Sequence, residues 1–141
     1  MMGARKMRAS AWVMAAALAA LASGASAETK AIPTVVSGSA AWSRLPNTIT
    51  LNAVVQLNDT CWSNPRFMPP LAAKPAPGRA APVQPTEVPI LADHATGKMC
   101  GMVVRQVKVP TRQWRIYPDP QLKSLKFVGS AQPVTVVIAR R

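Results

Sequence analysis

The chain is short of acids. Five Asp and Glu stand against 17 Lys and Arg in 141 residues, and the formal net charge is +12. The five are Glu28, Asp59, Glu87, Asp93 and Asp119. Their scatter gives no carboxylate pair of the kind glycoside hydrolysis needs. His94 is the single histidine, and adjacency alone does not let Asp93 orient it as the base of a nucleophilic triad. No glycine-rich phosphate loop follows a strand-like segment. Cysteine is scarce too: Cys61 and Cys100 are the only two, with no Cys-x-x-Cys spacing, which excludes the common thiol redox motif. A structural zinc site takes about four ligands, and two cysteines with one histidine fall short. There is no internal repeat and, beyond the first 27 residues, no amphipathic helical pattern. These absences exclude most enzyme classes. The expectation is a non-enzymatic protein without cofactor or metal.

The start of the chain has a recognisable grammar. Arg5, Lys6 and Arg8 precede an almost wholly apolar run over residues 9–22, and Ala25-Ser26-Ala27 follows. This is the pattern of a secretory signal peptide over residues 1–27, with cleavage before Glu28. The apolar run falls short of the roughly 20 residues needed to span a bilayer, so no transmembrane segment is expected in the mature chain. The mature chain is then residues 28–141, one domain in size, and its expected location is periplasmic or secreted.

In such a compartment two cysteines and no third read as one disulfide between Cys61 and Cys100. Closing a loop of that length stabilises a fold by roughly 4 kcal/mol in the chain-entropy model. Strand-like sequence flanks the pair. Residues 48–57 alternate Ile49, Leu51, Ala53, Val55 and Leu57 with a mostly polar set, the period of a half-wet strand. Residues 34–36 read as a short edge strand broken by Ser37-Gly38-Ser39, and Pro46-Asn47 as a turn. Seven prolines between Pro65 and Pro85 mark residues 63–87 as a loop, polyproline-like or disordered, because each proline removes a donor and fixes φ. Pro89 confines residues 88–91 to an edge strand, and residues 93–98 read as a turn.

Strand sequence resumes at Met99. Cys100, Met102 and Val104 have one parity and Val107 and Val109 the other, which a bulge near Arg105 reconciles. Pro110 is expected to end that strand. Residues 113–117 form another, with Trp114 and Ile116 facing inward. Residues 122–128 suit either a helical turn or a strand, and residues 134–139 close the chain as a β-branched strand. Six or seven short strands and frequent turns predict an all-β fold, a small antiparallel β-sandwich. It is immunoglobulin-like by pattern only: Trp62 adjoins the first cysteine, and no tyrosine lies two residues before Cys100.

The functional signal is charge asymmetry. Residues 28–97 hold five basic residues against four acids, while residues 98–141 hold nine against Asp119 alone, a net of +8. Such a field attracts anionic partners and weakens with salt. Arg105, Lys108, Arg112 and Arg115 are the first candidates for contacting an anionic lipid, a polysaccharide or an acidic protein. Trp114 and Tyr117 interleave with Arg112 and Arg115 as on a nucleic-acid platform, but the export leader argues against nucleic acid. His94, Met99, Cys100 and Met102 offer soft donors suited to copper. Met99 and Met102 have opposite strand parity, however, so core methionines and a surface histidine are expected.

The leading expectation is an exported binding or structural module that meets an anionic envelope component through its basic C-terminal segment. The alternative is a protein inhibitor or adaptor that presents the 63–87 loop to a protein partner. A third reading has an exposed edge strand adding to a neighbour's sheet.

Overall fold

The computed structural model describes residues 28–80 and 82–140; the signal peptide expected over residues 1–27 lies outside them. Eight strands make up the fold: β1 (Glu28–Ala31), β2 (Thr34–Trp42), β3 (Thr48–Leu57), β4 (Trp62–Phe67), β5 (Glu87–Ala95), β6 (Arg105–Arg115), β7 (Ser124–Val128) and β8 (Val134–Ala139). The described residues contain no helix long and apolar enough to cross a membrane. The fold is all-β, as the strand patterning predicts.

The sheet is mixed where an antiparallel sandwich was expected. Its order is β1-β5-β7-β8-β2-β3-β6, with β4 on the other side of β5. The pairs β2–β8 and β5–β7 are parallel. Hydrogen-bonded pairing therefore joins all the strands into one sheet, with β4 branching from β5, and the sheet curls into a half-barrel. Parallel neighbours need long crossover connections. Those between β5 and β7 and between β2 and β8 carry whole strands of the chain, which local pattern does not reveal.

β3 lies where the alternation placed it, with Ile49, Leu51, Ala53, Val55 and Leu57 all buried. Val109 and Trp114 of β6 join them, with Val88 and Ile90 of β5, Leu125 and Phe127 of β7 and Val136 and Ile138 of β8. Each such side chain contributes about 1.5–3 kcal/mol when fully buried. Phe67 and Phe127 meet edge to face at a centroid distance of 5.3 Å.

Several expected breaks are bulges. Ser37-Gly38-Ser39 does not end a strand: β2 runs through it with a register shift between Val35 and Ser37. Pro110 does not end β6 either, because Leu51 pairs Arg112 while Ala53 pairs Val109, so the extra residue is absorbed beside the proline. An edge strand tolerates a missing donor at such a point. β4 enters the expected loop, and its bulge between Ser63 and Arg66 holds Asn64 in a left-handed conformation (φ 51°) next to Pro65.

Other boundaries also move. β5 is longer than expected and central, bordered by β4 on one side and by β7 and β1 on the other. Pro89 fits there because its carbonyl accepts from the Met68 N–H beyond the end of β4. Asp93 and His94 belong to β5 and not to a turn. Residues 96–104 form no strand, and the bulge expected near Arg105 is instead at residues 110–111.

The half-barrel's two free edges face one another. Arg105 Nη2 donates to the Trp62 carbonyl at 2.6 Å, and Trp114 Nε1 donates to the Pro70 carbonyl at 3.1 Å. These side-chain bonds hold β4 and its continuation parallel to β6 without a backbone ladder between them.

Candidate functional site

All four basic residues singled out from the sequence, Arg105, Lys108, Arg112 and Arg115, are exposed on β6. Residues paired directly across antiparallel strands share a face. Arg105 and Arg112 stand opposite Leu57 and Leu51, on the inward parity; Lys108 and Arg115 stand opposite Val54 and Thr48, on the outward parity. The inward pair stays exposed although β4 lies alongside, because among the described residues no strand pairs with the outer side of β6. The structure thus brings the four together along one edge and divides them between its two faces.

Arg105 is tied to Trp62 and closes the half-barrel. Lys108 borders a shallow depression of about 230 Å³ with Ser37, Ser39, Asn52 and Val54. Arg115 borders a cleft of about 670 Å³ with Asn47, Leu71, Ile116 and Tyr117. Around them the outer face is polar: Thr50 donates to Gln113 Oε1 at 3.1 Å and Thr111 to Asn52 Oδ1 at 2.7 Å. Trp114 faces inward and is buried, so it offers no stacking platform.

Two of the acids, Asp93 and Asp59, are engaged by other side chains. Arg66 meets Asp93 Oδ1 at 3.0 Å, and the Asn64 amide donates to Oδ2 at 3.1 Å. The Asn64 bond, with the Arg66 guanidinium, holds the Asp93 carboxyl below its ordinary range. His94 Nε2 meets Asp59 Oδ2 at 3.1 Å, and the Cys61 N–H donates to Asp59 Oδ1 at 2.8 Å. The His94 bond is the main cause of a lowered Asp59 carboxyl, and the Cys61 N–H adds to it.

The same corner holds the disulfide. Cys61 and Cys100 are bonded, with Cα atoms 5.4 Å apart. Trp62 packs its ring edge-on to His94 at 5.1 Å. The methionines depart from expectation. Met99 and Met102 are almost fully exposed, because residues 96–104 are held at the surface by the bridge and not woven into the sheet. Their apolar character gave no warning of this.

Sequence reasoning missed two residues. Asp59 reads as a strand terminator, yet its carboxylate lies within 4.8 Å of both disulfide sulfurs, which also lie within that distance of one another. Gln84 reads as one polar residue among prolines, yet it is 2% exposed. Its side chain accepts from the Ala73 N–H at 3.1 Å and donates to the Ala73 carbonyl at 3.0 Å. Its own N–H donates to Asp119 Oδ2 at 3.2 Å. One side chain thus copies a backbone bridge and closes the base of the proline-rich loop. An isolated glutamine carries no local signal of such a role; the loop's need for internal hydrogen bonds does.

No protein-family model, curated protein or solved structure matches the chain.

Proposed function

We propose that this protein is a non-enzymatic, exported binding module that contacts an anionic envelope component, a lipid head group or an acidic polysaccharide, through the basic edge strand β6. The observation that carries this reading is the distribution of charge. Arg105, Lys108, Arg112 and Arg115 project from one strand, while Asp59 and Asp93 are taken up by His94 and Arg66. A row of cations raises the local concentration of anions and is screened by salt.

Retention on anionic vesicles and on an acidic-polysaccharide resin tests it. Lys108, Arg112 and Arg115 are changed together to Gln, and Arg105 is kept because it bonds Trp62. Each cation near an anionic surface contributes about 1 kcal/mol, so the triple variant is expected to bind roughly a hundredfold more weakly. Retention equal to the parent's on both matrices, at low salt, sinks the proposal.

The second reading, an inhibitor or adaptor, draws support from the Gln84 clamp. The clamp fixes the loop base while Leu71 and Val83 stand exposed on the loop. Pre-ordering lowers the entropic cost of docking. Capture of a protein partner that survives high salt and the triple substitution belongs to this reading.

A further inference from the structure

The segment between β5 and β6 exposes apolar surface that the fold does not use. Met99 is 99% exposed and Met102 90%, and Val103 and Val104 are exposed beside them. Four large apolar side chains thus stand in water within six residues. Single exposed apolar residues are ordinary, but a run of them marks a surface that meets another phase or partner.

This run is held out by design of the backbone. The disulfide ties Cys100 to Cys61. The Thr60 N–H donates to the Gly101 carbonyl at 3.0 Å, and the Gly101 N–H donates to Thr60 Oγ1 at 2.8 Å. The Val103 N–H donates to the same Gly101 carbonyl at 2.9 Å. That bond closes a three-residue turn with Met102 at its apex. Anchoring the base of the loop lowers the ordering cost of any contact made by its tip.

Charge says what the contact is. Lys98 and Arg105 flank the apolar run, and both are exposed. No acid occurs between Asp93 and Asp119, a stretch that also carries Lys108, Arg112 and Arg115. An acidic polysaccharide answers the cations and leaves the methionines in water. An anionic bilayer answers both, since apolar side chains enter the acyl boundary while basic neighbours stay among the head groups. Residues 96–105 contain no aromatic side chain, and aromatic anchors are what protein interfaces favour.

We infer that residues 98–105 form a membrane-insertion loop, which seats Met99, Met102, Val103 and Val104 in the interface of an anionic lipid surface. Lys98 and Arg105 border the inserted side chains, and the cations of β6 extend the contact over the head groups. The inference rests on the anion-binding reading of β6 and narrows its target to lipid.

The test uses oxidised protein spanning residues 28–141, which holds all eight strands. Binding is measured on phosphatidylglycerol vesicles and on an acidic-polysaccharide resin. Met99→Gln with Met102→Gln is expected to weaken vesicle binding by about tenfold or more, the loss of two partly buried apolar side chains. Resin binding and the melting curve are expected to match the parent's, because both side chains are exposed in the free protein. In a separate variant, Met102→Trp, emission above the background of Trp42, Trp62 and Trp114 is expected to shift to the blue on vesicles. Brominated acyl chains are expected to quench it.

Vesicle binding equal to the parent's in the double variant, or a Met102→Trp emission that vesicles leave unchanged, overturns the inference. With resin binding kept and still salt-sensitive, either result leaves the reading of β6 standing. A parent that binds neither vesicles nor resin at low salt overturns both. A parent that dimerises with concentration, and a double variant that stays monomeric with vesicle binding kept, would assign the loop to a second copy of the chain and overturn the membrane inference alone.

Discussion

Gly38 is the position where one atom decides the packing of the sheet. It lies inside β2 on the face toward the core, and a Cβ there would overlap the edge of the Phe127 ring. Phe127 is fully buried and meets Phe67 edge to face, so the ring has nowhere to retreat. Gly38→Ala is therefore expected to destabilise the fold by about 1–3 kcal/mol, the usual cost of overpacking a filled core. Urea melts followed by tryptophan fluorescence measure it; a midpoint equal to the parent's would show that the ring moves freely. At this scale the sequence is a partial guide. The alternation in β3 assigns its buried side chains one by one, because period two depends only on neighbours. Gly38 reads as a break, since the reason for its lack of a side chain lies about 90 residues away at Phe127. Asp59 and Gln84 are opaque for the same reason: their partners are distant in sequence.

Among the elements, prolines are the least transparent. They do exclude helix throughout residues 63–87, as expected, but they do not exclude strand. Pro65 fits a bulge, Pro89 accepts where it need not donate, and Pro110 lies on an edge. The strand residues around each proline decide its fate, together with which side of the strand is paired. The loop between β4 and β5 is organised by the Gln84 side chain, which occupies both hydrogen-bonding groups of Ala73. Gln84→Ala leaves both groups without this partner at a half-buried position, a loss of about 1–3 kcal/mol. The expected outcome is local. Amide exchange at Ala73 speeds up and limited trypsin digestion after Arg79 becomes faster, while exchange in β3 keeps its protection. Equal acceleration in β3 would mean that the loop is part of the global folding unit and not a separately clamped element.

For the whole molecule the question is how an open half-barrel avoids joining another sheet. β6 is a long edge strand, and its outer side has no strand partner among the described residues. Such an edge invites pairing with a second chain unless proline, bulges or charge oppose it. β6 carries all three: Pro110, the register shift beside it, and the cations Arg105, Lys108, Arg112 and Arg115. This argues against strand addition to a neighbour and gives the basic residues a protective role alongside the anion-binding role proposed for them. The two roles separate by experiment. Removing charge at Arg112 and Arg115 alone weakens anion binding and leaves the bulge and proline in place. Replacing Lys108 and Pro110 together with Thr restores a donor and a strand-forming residue on the edge and removes only one charge. The second variant is expected to self-associate as its concentration rises in size-exclusion chromatography, with anion retention largely kept. If it stays monomeric at every concentration, the edge is protected by other means. The two bonds that hold it against β4, from Arg105 to Trp62 and from Trp114 to Pro70, then become the barrier, and the basic residues of β6 are left with anion binding as their role.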